Sequence, residues 1–184
     1  MYPALAVHSA LTAKVTDVDT LWVGGKGGME ESLVKRQGIA FASVPAAGLH
    51  GVGLSALPGN LLTLGRGVFA ARRILKEFKP DVMFFTGGYV AAPVAIAGAS
   101  IPILLYTPDI EPGLALKSLA RYADVIAVTT SQSQKFFKKK VRETGYPLRP
   151  DLSLWDRLTA TRHLRISGEK PVLLASGGSQ AARA

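Results

Sequence analysis

The sequence predicts an α/β fold in which helices cover both faces of a parallel sheet. Short apolar segments alternate with segments of helical periodicity, and several apolar segments end in glycine-rich turns. Because parallel strands need a crossover connection, usually a helix, this alternation is typical of a parallel sheet. With 184 residues, of which 48% are hydrophobic, the chain can build a packed core.

The first part of the chain contributes two predicted strands. Residues 2–13 have a helical pattern with no strand before them, whereas a doubly wound sheet normally opens with a strand. The first strand of the sheet is therefore expected to be missing. Residues 20–23 form a predicted strand that ends at a Gly-Gly pair, and residues 29–37 form a helix that Gly38 stops. Residues 39–44 are the next predicted strand, which a proline ends.

The longest predicted helix spans residues 54–78. Its apolar residues recur three or four positions apart, which is the period of one helix face. Pro58 and Gly59 are expected to break or restart this helix. The apolar residues are Leu54, Leu57, Leu61, Leu64 and Val68.

Three further strands are predicted at residues 81–85, 101–106 and 124–128. The small apolar residues of 91–99 are typical of a buried helix between the first two strands. Residues 113–121 have the pattern of the next connecting helix. The alternation of strand and helix thus continues through this part of the chain.

The last part of the chain indicates a second domain. Residues 1–144 are the predicted first domain, and residues 145–170, which open with two prolines, are a predicted linker. Residues 171–184 resemble the start of another α/β domain. There, a predicted strand at 171–175 leads into a glycine-rich turn at 176–180.

Composition excludes several classes of protein. The absence of cysteine excludes disulfides and thiolate metal sites, and the three histidines lack the spacing of a zinc motif. No apolar run approaches the roughly 18 residues that span a bilayer, and no basic segment marks a signal peptide. A cytosolic protein without a metal site is expected.

The formal net charge of +9 is unevenly distributed. Residues 61–80 carry five basic side chains against Glu77 alone, and residues 132–184 carry most of the remaining excess. Basic stretches attract nucleic acid, anionic lipid or nucleotide phosphates, and composition does not choose among these partners.

Glycine-rich turns are the first candidate binding motifs. Residues 24–28 match neither a dinucleotide fingerprint nor a P-loop, so a flexible loop is expected there. Residues 86–90 follow a predicted strand, at the edge where open α/β sheets bind ligands. Their glycine amides could face an anion or could serve only a tight turn. The turn at 176–180 leaves the same two interpretations open.

Two basic segments are further candidates. The apolar stripe of residues 54–79 has basic neighbours, as in a helix on an anionic membrane or in an ordinary helix with solvated charges. Residues 135–140 combine lysines with two phenylalanines, which could contact nucleic acid. A solvated helix face is the expected structure there, and no nucleic-acid partner is expected.

Seven short motifs resemble one known family. They are Tyr2-Pro3-Ala4-Leu5-Ala6-Val7, Leu21-Trp22-Val23-Gly24, Ala47-Gly48-Leu49-His50-Gly51, Lys79-Pro80-Asp81-Val82, Thr86-Gly87-Gly88-Tyr89-Val90 with Pro93, Pro112-Gly113-Leu114-Ala115, and Gly178-Ser179-Gln180. In this order they are similar to the N-terminal half of MurG-type peptidoglycan N-acetylglucosaminyltransferases, which convert lipid I to lipid II. The similarity covers almost the whole chain.

The resemblance implies two Rossmann-like domains on either side of a cleft. The first would take a membrane-borne polyprenyl-diphosphate glycolipid as acceptor, and the second would take UDP-GlcNAc as donor. Inversion at the sugar would proceed by direct displacement, without a metal or other cofactor. Docking on an anionic membrane implies a peripheral location on the cytoplasmic face of the plasma membrane.

The resemblance also assigns candidate residues to three sites. The acceptor residues would be Thr86, Gly87, Gly88, Tyr89 and Asp109. The donor residues would be Arg149, Gly177, Gly178, Ser179 and Gln180. The membrane patch would be Leu54, Leu57, Leu61, Leu64, Arg66, Arg72 and Arg73.

The chain departs from the family pattern in three ways. The family's glycine-rich loop with a candidate catalytic histidine would precede Met1, and His8 does not replace it, so no catalytic residue is assigned. The family's His-Glu-Gln-Asn segment is replaced by residues 106–109, where Asp109 would repel a diphosphate unless protonated or paired. Most of the donor domain is missing, so residues 1–184 alone are expected to be inactive.

These departures leave two alternatives open. The same fold could act on a different glycolipid acceptor, for example a diacylglycerol-type lipid. The chain could instead be a non-catalytic membrane-associated module.

Overall fold

The first part of the chain consists of parallel strands joined by helices. A computed structural model describes residues 1–46, 57–166 and 171–173. The chain divides into two units, Met1–Arg149 and Pro150–Ala184. The described helices and strands of the first unit are α1 (Tyr2–Thr12), β1 (Leu21–Gly25), α2 (Met29–Arg36), β2 (Ala40–Val44), α3 (Leu57–Phe78), β3 (Met83–Phe85), α4 (Ala91–Ala97), β4 (Ile103–Thr107), α5 (Leu114–Leu119), β5 (Val125–Val128), a 3₁₀ helix (Ser131–Phe136) and β6 (Val141–Glu143).

The strands form two parallel sheets. β1 pairs with β2, in a register that sets Leu21 opposite Ala40 and Gly25 opposite Val44. The second sheet has the order β3-β4-β5-β6, and each neighbouring pair is parallel. The carboxyl ends of its strands therefore share one edge. The predicted α/β fold with parallel strands is confirmed.

A single apolar core connects the two sheets. Ile103 and Leu105 of β4 and Ile126 and Val128 of β5 are buried. In each pair the residues are two positions apart, so they face the same side of the sheet. Val44 of β2 belongs to the same buried cluster, so the two-stranded sheet packs on the core of the larger one.

Helix α3 approaches its neighbours closely through a glycine. A Cβ atom on Gly67 would clash with the carbonyl oxygen of Pro45 and would lie 3.1 Å from Cβ of Pro93 in α4. Ala71, one turn further along, is fully buried. Small residues at these two positions bring α3 onto α4 and onto the end of β2.

Several element boundaries differ from the predicted ones. α3 begins at Leu57, and the predicted helix residues 54–56 lie outside the described residues. β4 begins at Ile103 rather than at Ile101, because Pro102 has no N–H to donate to the ladder. The helix predicted at 91–99 ends at Ala97.

The segment after β5 contains the largest correction. Residues 135–140 were expected to form a solvated helix face, but the 3₁₀ helix ends at Phe136 and Phe137 is buried in the core. The following lysines lead into β6, a short strand that the sequence pattern did not reveal. The Lys139 ammonium donates to the carbonyl groups of Arg121 and Ala123, which fixes this turn to the end of α5.

The second unit contains a 3₁₀ helix, Pro150–Leu154, and helix α6, Arg157–His163. Asp156 caps α6, since its carboxylate accepts from the Thr159 amide at 2.7 Å and the Thr159 hydroxyl accepts from the Asp156 amide at 3.2 Å. The Thr159 amide lowers the pKa of the Asp156 carboxyl.

The division into residues 1–144, 145–170 and 171–184 stays a prediction. Residues 171–173 of the predicted strand at 171–175 have no regular structure. The rest of that strand lies outside the described residues.

Candidate functional site

The turn after β3 is built around two glycines with positive φ. Gly87 has φ of +105° and Gly88 has φ of +95°, a region that other residues rarely adopt. A Cβ atom on Gly87 would lie 3.4 Å from Cγ of Leu116 in α5. The turn therefore rests on α5, while Gly88 and Tyr89 are exposed.

The end of β1 borders the same turn. A Cβ atom on Gly25 would lie 3.6 Å from Cγ2 of Val90, so the two glycine-rich segments predicted from the sequence lie next to each other. The Gly25 amide donates to the Glu30 carboxylate at 3.2 Å. Because the Gly25 amide already donates to a carboxylate of the protein, the arrangement favours a structural loop at residues 24–28 over an anion site.

The loop after β4 lies beside this turn, because β3 and β4 are parallel neighbours. It runs through Pro108 and Asp109 to α5, and Asp109 is exposed. The Thr129 hydroxyl lies 2.9 Å from the Pro108 carbonyl oxygen. The hydroxyl groups of Thr107 and Ser133 lie 3.4 and 3.5 Å from the Asp109 carbonyl oxygen.

Exposed apolar side chains surround these two loops. Tyr89, Ile110 and Leu114 are all about half-exposed or more. Glu111 lies between Ile110 and Leu114 in the sequence, and its carboxylate accepts from the Lys117 ammonium at 3.1 Å. This edge of the sheet therefore combines glycine amides, the exposed Asp109 carboxylate, the Glu111–Lys117 ion pair and an apolar surface.

Tyr106 is a residue of this edge that sequence reasoning did not assign. It is only 2% exposed, and its hydroxyl lies 2.8 Å from the Thr129 hydroxyl and 3.2 Å from the Gly145 carbonyl. Burial raises the pKa of Tyr106 above its ordinary value, so the phenol is protonated at neutral pH. Tyr106 is the last residue of the predicted apolar strand at 101–106 and directly precedes the predicted ligand-binding edge. That position was the sequence signal that could have identified it.

The structure thus brings the acceptor candidates Thr86, Gly87, Gly88, Tyr89 and Asp109 to one edge of the sheet. Their roles stay predictions.

The candidate donor residues are only partly described. Arg149 ends the first unit, and its guanidinium lies 5.6 Å from the centre of the Tyr2 ring. Residues 177–180 lie outside the described residues.

Helix α3 carries the candidate membrane patch. Leu61, Arg66, Arg72 and Arg73 are exposed, whereas Leu64 is partly buried. Leu54 and the Leu57 side chain are not described.

The exposed stripe of α3 centres on a residue that was not predicted. Phe69 is 77% exposed, and Leu62 lies seven residues earlier, on the same helix face. Arg66 and Arg73 precede and follow Phe69 on that face. We call Leu61, Leu62, Arg66, Phe69, Arg72, Arg73 and Lys76 the α3 face.

The described residues contain neither a membrane-spanning helix nor a metal-binding cluster. None of the described helices is both long and apolar enough to cross a bilayer. Within the described ranges, no group of three or more histidine, aspartate or glutamate side chains could hold a metal ion.

The comparisons with known proteins identify the family. The sequence profile of the glycosyltransferase family 28 N-terminal domain matches residues 1–128. The chain belongs to this family.

Curated relatives extend the similarity over the whole chain. A UDP-N-acetylglucosamine–N-acetylmuramyl-(pentapeptide) pyrophosphoryl-undecaprenol N-acetylglucosamine transferase from Desulforudis audaxviator is 40% identical over 100% of this chain and 50% of its own length. The transferase of the same name from a Roseiflexus species is 35% identical over 100% of this chain and 51% of its own length. The resemblance to the N-terminal half of MurG-type transferases is confirmed, and the chain spans about half the length of these relatives.

A solved structure supports the fold. The crystal structure of Acinetobacter baumannii MurG has a TM-score of 0.64 to this chain, at 24% identity. It covers 83% of this chain, and the chain covers 43% of it.

Proposed function

We propose that this chain is the acceptor-side domain of a transferase that moves GlcNAc from UDP-GlcNAc to a polyprenyl-diphosphate-linked muramyl peptide, the lipid I to lipid II step of peptidoglycan synthesis. Relatives of that name match the entire chain, and the chain belongs to a glycosyltransferase family. The donor would bind through Arg149, the turn at 177–180 and a second domain. The transfer would need no metal or other cofactor.

The observation that carries this proposal is the glycine turn beside the Asp109 loop. Successive backbone amides in a positive-φ turn form a concave anion site. Gly87 and Gly88 have this conformation at the carboxyl edge of a parallel sheet, where such folds bind ligands. We infer that their amides bind the acceptor diphosphate. A general base, not assigned to any residue of this chain, would remove the sugar hydroxyl proton as UDP leaves.

The α3 face supports a membrane-borne acceptor. Phe69 and Leu62 present apolar surface, and the arginines at 66, 72 and 73 can pair with anionic headgroups. Juxtamembrane basic residues contribute about 1 kcal/mol each near an anionic surface. We therefore propose a peripheral location on the cytoplasmic leaflet, with α3 as the docking helix.

A transfer assay tests the proposed function. The complete enzyme, which includes this chain and a donor domain, is incubated with radiolabelled UDP-GlcNAc and a polyprenyl-diphosphate MurNAc-pentapeptide. We expect labelled disaccharide lipid from the complete enzyme and none from residues 1–184 alone. Robust transfer by residues 1–184 would contradict the assignment to one half of the enzyme. Vesicle binding without transfer by the complete enzyme would favour the non-catalytic module.

A second candidate keeps the fold and changes the acceptor, because Asp109 exposes a carboxylate at the proposed diphosphate site. Competition between lipid I and diacylglycerol distinguishes the two acceptors in the same assay. If lipid I is the acceptor, Asp109→Asn should lower its KM by removing a repulsive charge. Transfer to diacylglycerol but not to lipid I would establish the second candidate.

A further inference from the structure

The hydroxyl groups of Tyr106, which is buried, and of Thr129, which is partly buried, connect the Asp109 loop to the segment that follows β6. The Tyr106 and Thr129 hydroxyls are 2.8 Å apart. Thr129 also lies 2.9 Å from the Pro108 carbonyl, and Tyr106 lies 3.2 Å from the Gly145 carbonyl. The four groups form a hydrogen-bond network that runs from the loop after β4 to Gly145, where residues 145–149 begin.

This hydrogen-bond network has three oxygen–oxygen contacts but only two hydroxyl protons to fill them. Each hydroxyl can donate one proton, so the two hydroxyls supply two donors for three contacts. If Thr129 donates to Pro108, then Tyr106 must donate to Thr129, and Gly145 has no proton from this pair. If Tyr106 donates to the Gly145 carbonyl, then Thr129 must donate to Tyr106, and the Pro108 carbonyl receives no proton from this pair. A third arrangement would leave two oxygens 2.8 Å apart without a proton between them.

The Pro108 contact is the shortest of the side-chain bonds that hold the loop. The contacts of Thr107 and Ser133 with the Asp109 carbonyl, at 3.4 and 3.5 Å, are at the long limit for hydrogen bonds. Donation to Pro108 therefore decides how firmly the backbone before Asp109 is held.

The Gly145 contact holds a different segment. Gly145 has φ of +74° and follows the Thr144 amide, which donates to the Val128 carbonyl at 2.9 Å. Beyond Gly145, residues 146–149 lead to the end of the first unit. Donation to Gly145 therefore anchors the start of this exit segment.

We propose that Tyr106 and Thr129 are a two-state positioning pair, which holds either the Asp109 loop or the exit segment at residues 145–149, but not both. The pair acts on catalysis through the loop, and this part rests on the proposed function, in which the loop borders the acceptor. Neither side chain needs to touch the substrate.

Single substitutions fix the pair in one state. In Tyr106→Phe, Thr129 donates to Pro108 permanently, and Gly145 loses the Tyr106 donor and keeps the longer contact of the Thr144 hydroxyl at 3.4 Å. In Thr129→Val, Tyr106 donates to Gly145 permanently and Pro108 loses its donor. The two variants should therefore have opposite effects on the two segments, whereas a purely structural role would loosen both segments in both variants.

Hydrogen–deuterium exchange of the complete enzyme measures these effects in peptides that cover residues 107–119 and 141–149. Tyr106→Phe should speed exchange in 141–149 and slow it in 107–119, and Thr129→Val should do the reverse. Thr129→Ser, which keeps the hydroxyl, should match the parent. Tyr122→Phe is a second control, because no described hydrogen bond uses the Tyr122 hydroxyl.

Kinetics provide the second measurement. Thr129→Val should raise the acceptor KM about three- to tenfold, the effect of losing one hydrogen bond. Tyr106→Phe should leave the acceptor KM unchanged or lower it. Loosening of both segments in both variants, or no change in exchange, would overturn the pair. Reciprocal exchange in an enzyme that transfers no GlcNAc would support the pair and overturn the proposed function instead.

Discussion

The glycine turn after β3 and the α3 face are specified in different ways. In the turn, the conformation depends on the positive φ angles of Gly87 and Gly88 and on the close approach of Gly87 to Leu116. On the α3 face, apolar and basic side chains lie exposed along a helix whose opposite side packs through Gly67 and Ala71. The turn is thus defined by its backbone conformation, whereas the α3 face is defined by the exposed side chains of a helix.

This difference predicts different responses to substitution. A substitution in the turn should distort the backbone, and we expect it to cause a large loss of binding that is specific to the lipid acceptor. A change on the α3 face should act in small increments, because partition onto a membrane sums the contributions of separate residues. Substitutions within each region therefore test whether this distinction holds.

The largest effect is expected at Gly87. In Gly87→Ala the new methyl group needs a φ that non-glycine residues rarely adopt and contacts Leu116, which should cost about 1–3 kcal/mol. We expect a lower melting temperature and a loss of transfer activity of about tenfold or more. Thermal unfolding and the transfer assay measure the two effects. A fully stable and active variant would show that the turn does not need a glycine.

The next effect, on stability alone, is expected inside α3, where two glycines give opposite results. Gly67→Ala should destabilise the protein by about 1–3 kcal/mol, because the methyl group meets the Pro45 carbonyl and Pro93. Gly65→Ala is the matched control. It has open space around it and should stabilise the helix by about 0.5–1 kcal/mol. Chemical denaturation measures both values, and equal changes would contradict the described packing of α3.

The smallest effect per residue is expected on the α3 face. Phe69→Ser should weaken binding to vesicles that contain anionic lipid by about tenfold, since a phenylalanine that is only partly inserted contributes less than the roughly 1.5–3 kcal/mol of full burial. Arg73→Gln should weaken it about fivefold, and only at low salt. Neither change should alter the melting temperature, because both side chains are exposed. Unchanged vesicle sedimentation would show that the membrane contact lies elsewhere.

The sequence predicted what depends on local pattern. Apolar runs, helical periodicity and glycine turns identified the α/β order and the turn at Gly87, because these signals arise within a few residues. The same periodicity selected Leu64 and Val68, on the partly buried side of α3. It could not select Phe69, whose exposure is known only once the packed side of the helix is known.

The parts that could not be predicted depend on contacts distant in sequence. Tyr106 meets groups 23 and 39 residues away, and no local pattern pairs them. β6 is only three residues long, and it pairs with β5 after a lysine-rich segment in which Phe137 is buried. Long-range pairing of this kind requires the assembled sheet.

Gly88→Ala tests the central claim, that the turn after β3 binds the acceptor diphosphate, most directly. Gly88 has φ of +95°, and a Cβ atom added there would have no neighbour within 4 Å, so this change perturbs the turn's backbone without a packing clash. The KM for the lipid acceptor and the KM for UDP-GlcNAc are measured in the complete enzyme. The account predicts that the acceptor KM rises about tenfold while the UDP-GlcNAc KM stays within about twofold. An increase in the UDP-GlcNAc KM with an unchanged acceptor KM would contradict it.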